Sequence, residues 1–316
     1  MKLLVTGGCG FIGSNFIRLI LSKHPDYKIT NLDKLTYAGN PENLKDIENN
    51  KNYTFVKGDI SDNGTVIKLV KDADVIINFA AESHVDRSIS DADPFLKTNI
   101  MGTHVLLKAA LKFNKKMLHI STDEVYGSIE KGSFDENSNL DPNSPYSASK
   151  ASADLLCKAY YATHNLQVTI VRSSNNFGPY QYPEKVIPLF ITNLAEGEKV
   201  PLYGKGKNVR DWLFVLDNCE AIDTVLHKGK PGEIYNVASG NEMTNIELTK
   251  RILASLDKDE SYIEYVEDRK GHDLRYSLDA KKIKSLGWSP HHNFEKSLKS
   301  TIDWYANNKS WWEKLK

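Results

Sequence analysis

The chain has 316 residues, enough for one large domain or two of ordinary size, on the order of 100–200 residues each. Its hydrophobic and charged contents, 40% and 26%, are those of a folded globular protein, and Lys+Arg and Asp+Glu are both 41, so no net field draws it to nucleic acid or to a membrane surface. Cys9, Cys157 and Cys219 are too scattered for a disulfide framework or a metal site, no apolar run reaches the ~20 residues of a membrane span, and Met1-Lys2-Leu3 enters a strand without a leader-like segment; a cytoplasmic protein is expected, with no metal.

Residues 2–6 read as a short apolar strand, followed by Gly7, Gly10 and Gly13 and then a helix with Phe16, Ile17 and Ile20 on one face. Glycines at these positions allow a tight turn, close approach of backbone to a pyrophosphate, and helix–strand packing, although a plain turn would use them as well. A second strand, Ile29 to Asp33, ends in an acid that follows Gly13 by the ~20 residues expected of a ribose-binding carboxylate. An acid there repels a 2′-phosphate and favours NAD over NADP, while Lys34 next to it softens the repulsion.

Tyr53–Val56 is a third strand. Asp59 beyond it has two readings, an adenine contact or the cap of a helix starting near Asn63. Asp74–Ala81 forms a fourth strand and opens into the polar segment Glu82–Ser88. Met117–Ile120 begins a fifth, which ends in Ser121, Thr122, Asp123 and Glu124. Two adjacent carboxylates gain nothing inside a buried strand, but they suit the carboxyl end of a parallel strand, where ligands bind. A capping cluster is the plainer alternative. Because neighbouring strand residues point to opposite faces, the backbone must already be turning at Asp123. Tyr146 and Lys150, four apart, share one helical face.

Helices are expected over 99–113 and 147–164, apolar on most of their circumference, either as a two-fold interface with a second copy or through internal burial. Gln167–Arg172 is a sixth strand, so strands and helices alternate and predict a doubly wound parallel α/β sheet of Rossmann type. Proline and glycine then become frequent, with a helix near Pro188–Glu196 and a strand over Arg210–Val215. Asp217 and Glu220 have the spacing of a capping box. The division expected is 1–172 for the dinucleotide domain and 173–316 for a smaller mixed α/β substrate domain, with 208–228 returning to the first.

Taken together, the glycine loop, Asp33, Ser121-Thr122-Asp123-Glu124-Val125-Tyr126-Gly127 and Tyr146/Lys150 resemble the extended short-chain dehydrogenase/reductase family, and within it the nucleotide-sugar 4,6-dehydratases. Phe79–Ser88, Tyr146–Asp154, Asn175–Gln181, Pro201–Gly204, Arg210–Trp212 and Arg269–Tyr276 extend the likeness over nearly the whole chain. Lys270 and Leu274 stand where that pattern has proline and arginine, Leu216 where it has an acid, and the 126–146 segment is short; these departures bear on the sugar and nucleotide more than on the reaction.

The resemblance implies NAD-dependent dehydration of a nucleoside-diphosphate hexose, dTDP-glucose to dTDP-4-keto-6-deoxyglucose, by C4 oxidation, water loss across C5 and C6, and hydride return to C6. Tyr146, activated by Lys150, would take the C4 hydroxyl proton with Thr122 or Ser121 orienting that oxygen, Glu124 the C5 proton, and a protonated Asp123 would assist the departing C6 hydroxyl. Cofactor contacts implied are Gly7, Gly10, Phe11, Ile12, Gly13, Asp33, Lys34, Thr36, Asp59, Ile60, Ala80, Ala81, Ser83, Asn99, Ser121, Tyr146, Lys150 and Asn175. Substrate contacts implied are Ser83, His84, Thr122, Asp123, Glu124, Asn176, Lys185, Val186, Pro201, Tyr203, Arg210, Asn245, His272 and Arg275. His272 has an equal reading as a structural histidine, and Arg269 as a surface ion pair. The competing readings are a sugar-nucleotide 4-epimerase or decarboxylase, a 4,6-dehydratase of a UDP-, CDP- or GDP-sugar, and a catalytically silent NAD-binding regulator.

Overall fold

The apolar runs of the first half become strands of one sheet in the computed structural model, which describes all 316 residues. They are β1 (Lys2–Thr6), β2 (Lys28–Asp33), β3 (Tyr53–Lys57), β4 (Val75–Asn78), β5 (Lys116–Thr122) and β6 (Val168–Ser173). β7 (Asn175–Phe177), β8 (Val200–Tyr203) and β9 (Val209–Phe214) follow, then β10 (Ile234–Val237), β11 (Glu242–Thr244) and β12 (Ile263–Val266). Seven of them form a parallel sheet in the order β10-β6-β5-β4-β1-β2-β3. β4 and β6 are buried at every position, as a parallel sheet covered by helices on both faces requires.

Alternation along β1 splits the core. Leu3 and Val5 pack with Phe16, Ile17 and Ile20 of helix Phe11–Lys23 and with Ile222 of helix Val215–Lys228. Leu4 faces the other way, toward Val66 and Val70 of helix Asn63–Asp72 and Leu106 and Leu107 of helix Thr103–Phe113. The chain turns in opposite directions on either side of β1, so a crevice opens at the carboxyl ends of β1 and β4. Two smaller sheets, β11-β9-β7 and β12-β8, lie beyond it. β10 rejoins the large sheet beside β6, and helix Val215–Lys228 packs against helix Phe11–Lys23. No helix is long and apolar enough to cross a membrane.

Three local expectations change. The helix placed over 99–113 is α-helical over Thr103–Phe113 and preceded by a π-helical segment, Leu96–Gly102. In that wider turn Asn99 binds both the backbone N–H and the carbonyl of Glu82, and donates to the Ser149 hydroxyl at 2.8 Å. The helix near 63 is capped by Asp62, and Asp59 instead pairs with Lys34. Asp217 caps nothing: its helix already starts at Val215, and the buried carboxylate accepts the backbone N–H groups of His291 and His292. A buried carboxylate needs several donors, and the packing of the 288–293 turn supplies them.

Candidate active site

β5 ends at Thr122, and Asp123–Tyr126 turn at once into a 3₁₀ helix closed by Gly127 in the left-handed region, φ +78°. The Thr122 hydroxyl accepts the Glu124 N–H at 3.3 Å, as an N-cap does. This turn frees Asp123 and Glu124 from strand alternation. Thr122 donates to one oxygen of Asp123 at 3.2 Å, while the other Asp123 oxygen is buried without a partner. Burial, and then the neighbouring Glu124, push the Asp123 carboxyl up to about 8. Burial raises Glu124 too, but Arg269, Lys185 and Arg210 pull it back. The two carboxyls therefore sit in unequal environments, one suited to hold a proton and the other with cations facing it.

Tyr146 and Lys150 lie on helix Pro145–His164, which starts at a Ser144/Ser147 capping box with Pro145 in its first turn. Tyr146 packs edge-on to Phe95, and its backbone N–H donates to Ser88 at 3.1 Å. Lys150 donates to the Ile120 carbonyl at 2.6 Å, and burial lowers it to about 8 against the opposing charge of Asp154. The expected lowering of the Tyr146 phenol by Lys150 is not provided by the protein alone. Burial, then Glu124, raise Tyr146 well above its ordinary value, and the hydrogen bond with Thr122 is what opposes them. Desolvation of a fully enclosed phenol outweighs a lysine engaged with a carbonyl.

Tyr146, Lys150 and Ser121 form one wall of a cleft that runs back over the glycine loop. A Cβ on Gly7 would stand 2.6 Å from the Ala80 nitrogen, and one on Gly13 2.5 Å from the Gly7 carbonyl, so both are held to glycine by packing. Gly10 lines the cleft half-buried, and a Cβ there would stand 3.3 Å from the Gly7 carbonyl oxygen. Asp33 lines the cleft and accepts the Cys9 and Leu35 N–H groups at 2.9 and 2.8 Å. Lys34 is held at 2.8 Å by Asp59, which removes much of its pull on a 2′-phosphate. The Ser121 hydroxyl is buried and unpartnered. A glycine backbone lining the cleft at a helix start, a carboxylate at the second strand and an orphan hydroxyl fit a dinucleotide.

Of the residues expected to touch it, Phe11, Ile12, Thr36, Ile60, Ala80, Ala81 and Ser83 also line the cleft, whereas Asn99 and Asn175 do not. Asn99 is spent on Glu82 and Ser149, and Asn175 lies on β7, its carboxamide oxygen buried without a partner. Glu82, Gln181, Tyr182 and Glu184 line the cleft without having been expected. The last three come from the Pro/Gly-rich stretch, which the fold lays across the opening; Lys185 fastens it by donating to the Ser83 carbonyl at 2.8 Å.

On the substrate side Lys185 and Arg210 face Glu124, joined by Arg269, whose Nε is buried without a partner. Arg210 lies over the Tyr276 ring and donates to the Asp273 carbonyl. Tyr203 meets His272 edge-on and donates to Asp86 at 3.3 Å, and the Asn176 carboxamide oxygen is buried and unpartnered. His84 caps helix Val85–Ser90, Val186 opens helix Val186–Ala195, Asn245 opens helix Asn245–Ser255, and Pro201 sits in β8. Arg275 is engaged elsewhere, with Glu242 and the Gly132 carbonyl.

The sequence model of the GDP-mannose 4,6 dehydratase family matches residues 4–301. The low-salt glycan biosynthesis protein Agl12 of Haloferax volcanii is 54% identical over 98% of this chain and 99% of its own length. A dTDP-glucose 4,6-dehydratase of Streptomyces niveus is 51% identical, covering 100% and 96%. The crystal structure of DesIV, a dTDP-glucose 4,6-dehydratase from Streptomyces venezuelae with NAD and TYD bound, superposes with a TM-score of 0.98 at 52% identity, all of both chains covered.

Proposed function

The chain belongs to the GDP-mannose 4,6 dehydratase family, and on that premise we propose that it is an NAD-dependent dTDP-glucose 4,6-dehydratase in which the Thr122–Glu124 turn, Tyr146 and Lys150 carry the chemistry. The observation that carries this reading is the Asp123–Glu124 pair: two neighbouring carboxyls in one buried turn, one raised to about 8 and the other facing three cations. A dehydratase needs both an acid and a base at C5–C6, and an epimerase or decarboxylase does not. The thymidine nucleotide and glucose are supported by full-length relatives of that name at about half identity.

NAD, when bound along the glycine loop and Asp33, supplies the oxidation at C4 and the reduction at C6. Thr122 and Tyr146 hold the C4 oxygen, and Tyr146 accepts its proton, a role that requires the phenolate form, which the Lys150 cation beside the cleft favours. Glu124 then accepts the C5 proton, made acidic by the adjacent ketone. Asp123, protonated at neutral pH, passes its proton to the C6 hydroxyl, which leaves as water, and Glu124 returns a proton to C5 as C6 is reduced. Lys185, Arg210 and Arg269 offset the negative charge of a diphosphate and of Glu124. The enzyme is proposed to act as a cytoplasmic homodimer through the helical segment at 96–113 and the helix at 145–164, on which Met101, Leu111 and Leu155 leave an apolar outer face. Incubation with a panel of nucleoside-diphosphate hexoses, following the 4-keto chromophore in alkali, tests the reading. Equal turnover of a UDP- or GDP-hexose would remove the dTDP assignment, and no turnover of any would remove the activity.

A further inference from the structure

We propose that Asp217, His291 and His292, with Glu220 beside His291, form a site for one divalent transition-metal ion of the zinc, cobalt or nickel class, apart from the catalytic cleft. Asp217 and Glu220 are three residues apart on helix Val215–Lys228 and so share a face. The two histidines reach them from the turn that precedes helix Phe294–Asn307. His291 Nδ1 lies 3.2 Å from Asp217 Oδ1 and 3.5 Å from Glu220 Oε2, and His292 Nδ1 lies 2.8 Å from Asp217 Oδ1. Donors on a tetrahedral ion at zinc–ligand distances stand roughly 3.3 Å apart, and the three contacts here, at 2.8, 3.2 and 3.5 Å, bracket that value. Neither His291 contact is aligned as a hydrogen bond, whereas the His292 contact is. The His291 nitrogen thus faces two carboxylates without bonding to either.

The surroundings hold these donors in place. Backbone N–H groups of His291 and His292 donate to the Asp217 carboxylate at 3.2 and 3.3 Å, fixing its orientation as outer-shell partners do for a ligand. The His292 ring packs on Phe214, and the His291 ring on His292. No lysine or arginine pairs with either carboxylate. A second cluster, His24 at the end of helix Phe11–Lys23 with Asp223 and His227 of helix Val215–Lys228, differs in that respect. There Lys23 holds Asp223 at 2.7 Å and Tyr27 meets His227 at 2.8 Å, so a cation already serves the carboxylate. Imidazole with carboxylate suits borderline ions over calcium or magnesium. Binding would tie helix Val215–Lys228 to the 288–293 turn.

The full chain loaded with NAD and freed of metal by chelation is titrated with Co(II), read by its visible absorption, and then with Zn(II) as competitor. One equivalent of Co(II) is expected to saturate the signal and Zn(II) to displace it. His291→Ala and His292→Ala should each weaken binding by at least ~10-fold, the lower end of what outer-shell changes alone cost. His227→Ala should leave it unchanged. Zn(II) should raise the Tm of the wild type but not of His291→Ala. The His291 side chain is 54% exposed, so its removal spares the fold, and continued 4-keto product formation by the variant checks this. Absence of saturable one-to-one Co(II) binding, or equal affinity in the wild type and both histidine variants, would overturn the site.

Discussion

The Thr122 hydroxyl donates to one oxygen of Asp123 at 3.2 Å, leaving the other oxygen buried and unpartnered. That arrangement suits a carboxylic acid waiting to give its proton away, and it separates the duties of Asp123 from those of Glu124. Glu124→Gln keeps the shape of the side chain but cannot accept a proton. In deuterated water it should exchange the C5 position ~10²–10⁴-fold more slowly than wild type. Asp123→Asn should keep C5 exchange while product formation falls by a similar factor. Wild-type exchange in Glu124→Gln would move the base elsewhere, with His84 and Glu82 as the nearest candidates.

The same acid sets a pH dependence of stability. Its ordinary value is 3.8 and its value in the fold is about 8, so between those limits the folded chain holds a proton that the unfolded chain has released. Stability from this group is complete below about 3.8 and is lost as pH rises toward 8, by at most about 1.4 kcal/mol per pH unit. Asp123→Asn removes the effect. Its Tm relative to wild type, measured without ligands, should therefore rise steadily from pH 5 to pH 8; a difference independent of pH would contradict the assignment.

Cofactor choice rests on Asp33, with Lys34 held away by Asp59. Asp33→Asn removes the negative charge and should lower the ratio of NAD to NADP affinity by ~10-fold, the effect of losing one charged hydrogen bond. Asp59→Ala should act in the same direction, by freeing Lys34 toward a 2′-phosphate. Fluorescence titration with both dinucleotides reads the two ratios, and a wild type that preferred NADP would cancel both expectations.

Met101 and Leu155 are each 54% exposed on neighbouring helices. A Met101→Glu/Leu155→Glu double variant buries two charges if that face pairs with its copy, and it should scatter light as a monomer at micromolar concentration where the wild type is a dimer. A monomeric wild type would end the proposal.

What the sequence by itself determined were the features with a local cause. The parallel sheet follows from apolar runs alternating with helices, the dinucleotide cleft from Gly7, Gly10, Gly13 and Asp33, and the turn at Asp123 from a requirement that two adjacent carboxyls escape strand alternation. Only the tertiary structure decided matters of partnership between distant segments. Asp217 and Glu220 have the spacing of a capping box, yet the helix starts before them and Asp217 is claimed by His291 and His292, 74 and 75 residues on. Asn99 goes to Glu82 and Ser149, Lys150 to the Ile120 carbonyl, and Gln181, Tyr182 and Glu184 arrive over a cleft otherwise built from the first half of the chain. Local pattern records backbone propensity and burial, which act within a few residues. The partner of a buried polar group is chosen by which donors the whole fold brings within about 3 Å, and that distance is written nowhere along the chain.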